Sequence, residues 1–493
     1  MTLGNGRASD RAGTAPRTTA TRTTRQTDTA WDPNIGPTHR RKGPALALIL
    51  LVGLAGCTTS TKVQRQERQA RFEETRAAQE RSGRRKTKRR DARPLIQTPE
   101  LVRLDALARR LNADPRPLER PCANAICTRR VLDRVFKRLD RLDARRQGHI
   151  RILQLGDSHI AADYITRTIR DELQARFGNG GRGLVAIGQK SRYGGRALSR
   201  TGWERHRIVD EGQAGKPFGV TGMAIEAARG GAEATFSLVP EDDVVSIYYH
   251  AHPGGGAFRV FAEDEELLYV DTDADSAESR VATVPIPMHR MGDVVPPELL
   301  RIRTDSGHVR LMGISFESDE PGIILDAIGP VGADANVYLT FDQASMRAHM
   351  RELKPDLVVL MVGGNDGLAV RKAVRSLDEV RQQHVDLITA VKQHAPDAAC
   401  LVWAPMDAGE RLDDGLVISK RYIEEIRDLQ RETALEMGCA FWDTYESMGG
   451  SGSFGRWLEE GIMNSDMVHP RAKGGDLMGH LFARAFMSAY LGR

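Results

Sequence analysis

The chain has 493 residues, of which 40% are hydrophobic, 28% charged and 5% aromatic, with a formal net charge of +5. That length exceeds what one ordinary core serves and points to two domains. The charge is unevenly spread: residues 1–57 carry +5 and residues 58–94 carry +8, which leaves residues 95–493 at −8. A mildly acidic body argues against nucleic acid as its partner, because that function needs a basic face there.

The front of the chain reads as an export signal. His39 to Gly43 (HRRKG) supplies positive charge, and Pro44 to Gly56 is an apolar run too short to span a bilayer comfortably. The run ends in Leu-Ala-Gly-Cys, Leu54 to Cys57. This resembles a bacterial lipobox, which implies that Cys57 is lipidated and becomes the mature N-terminus, anchoring the protein to a membrane. Thr58 is compatible with outer-membrane sorting in the lipoproteins it resembles, so the expected place is the cell envelope, facing the periplasm. Residues 58–100 follow as a basic tether, Arg- and Gln-rich up to about 94 and nearly free of large apolar side chains. Such a segment cannot offset its ordering entropy by burial. Its flexible reach is roughly 30–35 Å, and its charge suits an anionic surface of lipid head groups or cell-wall polymer, or simply a solvated spacer.

Helical periodicity begins near residue 100. PELVRLDALARRLN is one amphipathic stretch; in RRVLDRVFKRLDRLDARR, Val131, Leu132, Val135, Phe136, Leu139 and Leu142 share a face. An apolar strand around Leu153 and Leu155 then stops at Gly156-Asp157-Ser158, and ITRTIRDELQARFG continues as a helix ending at Gly178. Between about 196 and 322 short alternating runs replace helical patterns, which predicts an all-β insert, a sandwich or jelly roll. From 323 the α/β texture returns. GIILDAIG, DLVVLMVGG, CLVWAP and AFWDTY read as strands. SLDEVRQQHVDLITAVKQHAP, VISKRYIEEIRDLQRETALEMG and GGDLMGHLFARAFMSAYL read as helices. Apolar strands alternating with amphipathic helices predict a parallel sheet covered on both faces. The expected organisation is therefore one α/β domain in two parts, 101–195 and 323–493, interrupted by a β insert at 196–322.

In such sheets function gathers at the carboxyl ends of the strands. Ser158, Gly332 (in IGPVGADAN), Asn365 (in VGGND), and Asp466 with His469 (in SDMVHP) all fall at strand ends or in loops nearby. A serine hydroxyl needs a base to take its proton and a third group to orient that base. His469 can be the base and Asp466, three residues earlier, its orienting carboxylate. The oxyanion formed by attack on an ester needs preorganised donors; the backbone N–H groups of Ser158 and Gly332 and the side-chain amide of Asn365 suit that role. Each piece alone has a plain structural reading: a turn, a capping Asp with a surface His, an Asn in a Gly-rich loop. It is the ordered set that points to chemistry.

GDSH, a glycine-bearing second block, GGND and DMVH occur in the order of the SGNH (Gly-Asp-Ser-Leu) hydrolase superfamily, with His159 where leucine is usual. GDSHIAADYITRTIRDELQARFGNGGRG and FWDTYESMGGSGSFGRWLEEGIMNSDMVHPRAKGG further resemble the Gram-negative peptidoglycan O-acetylesterases, over roughly residues 145–490. The resemblance implies a flavodoxin-like SGNH sheet with a carbohydrate-module-like insert. It also implies a serine esterase removing O-acetyl groups from cell-wall glycan, with Ser158, Asp466 and His469 as triad, Ser158, Gly332 and Asn365 as oxyanion hole, and no metal or other cofactor. The alternatives are an esterase or O-acetyltransferase acting on another acetylated polysaccharide, and a non-catalytic glycan-binding lipoprotein.

Other signals carry less. FGNGGRG (Phe177 to Gly183) follows a helix rather than a strand and reads as a helix-end turn, not a phosphate loop. His250 and His252 share a strand face but have no evident third ligand. Asp366 reads as structural, and His159, fixed on the tight turn beside Ser158, is awkward as a base. Cys122, Cys127, Cys400 and Cys439 match no zinc spacing, and export permits disulfides whose pairing stays open among three possibilities.

Overall fold

The computed structural model describes residues 95–188, 197–287 and 297–492. The export signal with Cys57, and the tether up to residue 94, lie outside the described residues. Thr98 Oγ1 accepts from the Leu101 N–H and opens helix α1 (Pro99–Leu111), so the last residues assigned to the tether already belong to the folded body.

The centre is a five-stranded, all-parallel sheet: β1 (His149–Gly156), β2 (Gly322–Ile328), β3 (Leu357–Met361), β4 (Ala399–Trp403) and β5 (Ala440–Trp442), in the spatial order β2-β1-β3-β4-β5. That is the flavodoxin-like order, whose direction of winding reverses between β1 and β3. Alternation along the strands supplies both faces. Ile150, Ile152, Leu357 and Val359 pack with α1, α2 (Asp133–Arg145), α3 (Tyr164–Phe177) and the last helix; Leu153, Leu155, Val358 and Leu360 pack on the other side. There they meet α4 (Gln343–Leu353), α5 (Leu377–His394) and the end of α6 (Tyr422–Glu436). The last helix, α7 (Ala472–Leu491), is buried along most of its length. Continuous apolar runs such as LVVLM are what a sheet buried on both faces requires.

The α/β body is interrupted by two antiparallel sheets of six and five strands packed around Phe236, Phe258, Val260, Ile302 and Phe316. The first of these strands is Gly181–Val185, which pairs with Val309–Glu317, so the sandwich begins ahead of the boundary expected at 195/196. The strands at 181–185, 204–207 and 223–227 lacked a readable alternation: one is glycine-rich and the other two are four or five residues long. The insert is tied to the central sheet by Arg151 of β1. Its buried guanidinium donates to Asp326 Oδ2 of β2 (2.9 Å) and to Glu317 (2.7 Å) and Ser315 (3.1 Å) of the insert.

Two helices begin later than their patterns predict. Val131 and Leu132, read on the face of α2, lie ahead of it: Leu132 is at φ +79°, helix starts at Asp133, and both side chains are buried from the preceding turn. Residues 417–438 read as a single helix; instead Val417–Ser419 pairs with Gly409–Arg411 as a short hairpin and α6 starts at Tyr422. Strand pairing occupies the backbone of 417–419, and Ser419 Oγ donates to Asp407 Oδ2 at 2.7 Å, so helical bonding cannot start before the hairpin closes.

The cysteines pair as Cys122–Cys127 and Cys400–Cys439. Cys400 lies in β4 and Cys439 immediately precedes β5, the neighbouring parallel strand. The two bridges close loops of 5 and 39 residues. Loop-closure entropy then predicts that replacing Cys400 and Cys439 by alanine lowers the unfolding free energy in urea by about 4 kcal/mol, against about 2 kcal/mol for Cys122 and Cys127. Equal losses would show that strain or packing, rather than loop length, sets their contribution.

Candidate active site

Strand β1 ends where its backbone must come close to its neighbours. A Cβ on Gly156 would meet Ile160 Cγ1 at 2.4 Å and the Met361 carbonyl oxygen at 3.0 Å, so only glycine lets the chain turn here. The Gly156 carbonyl accepts from Tyr338 Oη at 2.7 Å, which pins the strand end. Asp157 caps the short helix Ser158–Ala161 by accepting from the His159 N–H at 2.9 Å. Ser158 is the first residue of that helix, so its N–H has no intrahelical acceptor.

The Asp466–His469 loop approaches from before α7. Met467 sits at φ +64°, a left-handed conformation uncommon outside glycine, and lets the chain reverse tightly. Asp466 Oδ1 accepts from the N–H groups of Val468 and His469, both at 2.9 Å, and its Oδ2 meets His469 Nδ1 at 2.9 Å. The other imidazole nitrogen, Nε2, lies 2.6 Å from Ser158 Oγ. Burial pushes the Asp466 carboxyl upward, but the bonds from the His469 backbone and ring and from Val468 outweigh it and hold the group below its usual value. The carboxylate is thus kept charged beside the imidazole. The three side chains are 311 and 3 residues apart in sequence and form one hydrogen-bonded line.

Asn365 follows β3, on the other side of the point where the winding reverses. Its Nδ2 donates to the Ala333 carbonyl at 2.8 Å, which leaves one amide hydrogen uncommitted among the described residues. Gly332 is placed differently. It is exposed, at φ +88°, in a turn closed by the Ala333 N–H donating to Pro330 O at 3.0 Å. Glycine at the third position is what a type II turn requires. The cavity beside Ser158, ≈250 Å³, is lined by Ser158, His159, Asn365 and His469 but not by Gly332. The nearby glycine that needs close approach is Gly329, where a Cβ would meet the Asp157 carbonyl at 2.3 Å.

The structure gives His159 a place that the sequence did not signal. Its Nδ1 lies 2.9 Å from Asp157 Oδ1 and its Nε2 3.4 Å from the Val468 carbonyl, with its ring 5.0 Å from that of His469. Burial pushes this imidazole down, but the Asp157 carboxylate, the Val468 carbonyl and the Asp466 carboxylate together push it up by more, so the group lies above its usual value. His159 therefore links the serine turn to the histidine loop.

Asp366 is fully buried, near His384 (3.5 Å) and the Ala335 N–H (3.3 Å), away from the Ser158–His469 line. His252 Nε2 meets His308 Nδ1 at 2.8 Å, and the His250 and His252 rings lie 5.7 Å apart. Among the described residues no three His, Cys, Asp or Glu side chains form a group that could hold a metal ion.

Residues 330–477 match the GDSL-like lipase/acylhydrolase family, a stretch that contains Asn365, Asp466 and His469. No curated protein sequence matches the chain significantly. Among solved structures, a peptidoglycan O-acetylesterase superposes with a TM-score of 0.61 at 21% identity, covering 73% of this chain and 97% of its own. A Bacillus subtilis protein (14% identity, 58% of this chain and 88% of its own) and an acetyl xylan esterase (20% identity, 34% and 81%) reach TM-scores of only 0.29 and 0.26. The chain thus has an SGNH-type fold interrupted by a β insert. The family match and the fold together support a carboxylic-ester hydrolase.

Proposed function

We propose that this SGNH-type ester hydrolase is a serine esterase that removes O-acetyl groups from cell-wall glycan through an acetyl-serine intermediate. The observation that carries the reading is the hydrogen-bonded line Ser158 Oγ–His469–Asp466, whose Ser158 and His469 line a cavity formed where the sheet's winding reverses. His469 Nε2 takes the Ser158 proton as Oγ attacks the acetyl carbonyl. The oxyanion is met by the Ser158 N–H and the uncommitted amide hydrogen of Asn365. His469 returns the proton to the departing sugar oxygen, and a water molecule, activated by the same imidazole, releases acetate and restores Ser158. Gly332, the third donor expected from the sequence, lies outside the cavity lining, so the oxyanion proposal rests on the first two groups. A cavity of ≈250 Å³ is smaller than pockets that enclose drug-sized ligands, which suits a short acyl group with the sugar outside.

If Asn365 serves the oxyanion, Asn365→Ala lowers kcat roughly 10²–10³-fold with a much smaller change in KM. A loss confined to KM would assign it to ground-state binding instead. We place the protein in the periplasm-facing cell envelope, held by lipid on Cys57, from the lipobox-like sequence alone.

The substrate is tested by acetate release from O-acetylated peptidoglycan, with chemically de-O-acetylated peptidoglycan and acetylated xylan alongside. Release from the first that greatly exceeds release from xylan supports the reading. Turnover of xylan alone would move the activity to another polysaccharide, and loss of the acetyl group only when a sugar acceptor is added, with the acetyl recovered on that acceptor and not as acetate, would make the protein a transferase.

A further inference from the structure

We infer that Lys420, assisted by Tyr422, forms an anion subsite of the cavity and recognises a carboxylate on the same sugar unit that carries the ester. The inference rests on the esterase reading. Both residues line the cavity that holds Ser158 and His469.

Lys420 directly follows the strand Val417–Ser419, and its main chain is firmly placed. Its N–H donates to Ala408 O at 2.8 Å, and the Gly409 N–H donates to Met467 O at 3.0 Å, which fastens the hairpin to the Asp466–His469 loop. Beneath it the fully buried Asp407 accepts from Ser419 Oγ (2.7 Å), Ser453 Oγ (3.0 Å) and the Phe454 N–H (2.8 Å). Tyr422 is fixed by its ring, which packs so closely on Gly367 that a Cβ there would lie 2.3 Å from it.

The half-buried Lys420 ammonium nevertheless has no hydrogen-bond acceptor and no carboxylate within 4 Å among the described residues. The charges that act on it are Arg371, Glu410, Asp466 and Asp407, and each carboxylate among them is committed elsewhere. Glu410 pairs with Arg371 at 3.3 Å, Asp466 serves His469 and two backbone N–H groups, and Asp407 holds the hairpin. Burial, and then repulsion from Arg371, push the ammonium below its usual value, the signature of a cation short of a partner. The Tyr422 hydroxyl also has no partner among the described residues, and burial pushes its pKa up, so it has an O–H to donate to an anion.

Much of the remaining lining is apolar (Met361, Leu368, Pro405, Met406, Ile423), which strengthens any charge pair formed inside. An acetyl ester is neutral, so it does not satisfy Lys420. An anion elsewhere on the substrate does, and with a net charge of −8 on residues 95–493 the overall field does not attract one. A sugar carboxylate, as in a lactyl ether acid or a uronic acid, has the required charge and lies within one ring of an acetylated hydroxyl.

The test compares kcat/KM of the full-length protein for 6-O-acetyl-N-acetylmuramic acid and its lactyl methyl ester, and for an O-acetylated glucuronic acid and its methyl ester. The free acid is expected to be preferred over its ester by roughly 10- to 100-fold, as a hydrogen bond to a charged group implies. The pair showing that preference identifies the source of the carboxylate. In Lys420→Met the acid-to-ester ratio should fall to about one, while Lys420→Arg keeps most of it. Ratios near one in the unaltered protein, or a preference that survives Lys420→Met, would overturn the inference and leave the esterase reading standing. No turnover of any of the four compounds would overturn both.

Discussion

Ser158→Ala is expected to lower kcat for acetate release by roughly 10⁴–10⁶-fold, because a nucleophile and its base act as one unit whose loss leaves only binding and oxyanion stabilisation. The hydroxyl lies in the cavity 2.6 Å from His469 Nε2 and makes no other side-chain bond among the described residues. Removing Oγ therefore disturbs nothing that holds the fold: the turn depends on Gly156, the Asp157 cap and the Tyr338–Gly156 bond. Unfolding in urea should be within about 0.5 kcal/mol of the unaltered protein, as expected for a substitution that breaks no structural contact. His469→Ala should cost about as much activity, and the double variant no more than either alone. Independent, multiplying losses would contradict a shared proton transfer.

Asp466→Asn is expected to cost on the order of 10⁴ in kcat. The asparagine oxygen can keep accepting the Val468 and His469 N–H groups, so the loop retains its shape. Its amide nitrogen, however, would then face His469 Nδ1 as a donor. That forces the ring into the tautomer with the proton on Nε2, which cannot accept the Ser158 proton. Asp466 is half exposed, and the neighbouring His159 ring holds the Val468 carbonyl independently of it. Asp466→Asn should therefore fold normally, with KM nearly unchanged. A loss of only a few-fold would mean that water or another group orients His469, and that Asp466 serves mainly to shape the turn.

The architecture was readable because its signals are local and repetitive. Leu357–Met361 is apolar at every position, α5 opens with the Ser376–Glu379 capping box, and β1 stops at a glycine whose neighbours leave no room for a side chain. The meeting of Ser158, His469 and Asp466 was readable for a related reason: strand ends in a wound parallel sheet converge, and three residues suffice to set the Asp–His pair. What was not readable depends on distant contacts. Nothing near Gly332 in the sequence shows that its glycine serves an exposed turn while Gly329 takes the close approach to Asp157. Residues 417–419 fit a helical pattern, and only pairing with 409–411 and the buried Asp407 makes them a hairpin. That hairpin brings Lys420 into the cavity, so a residue that looks like an ordinary helix lysine in the sequence has a different place in the fold.

In the proposed mechanism Ser158 carries the acetyl group during turnover. The most direct measurement is peptide mass mapping of the protein acid-quenched within milliseconds of mixing with O-acetylated peptidoglycan fragments, with Ser158→Ala as control. An acetyl group is expected on the peptide containing Ser158, absent from the control and lost as turnover completes. Acetate release without any acetylated peptide that accumulates even in Asp466→Asn, or an acetyl group on a different residue, would contradict that mechanism.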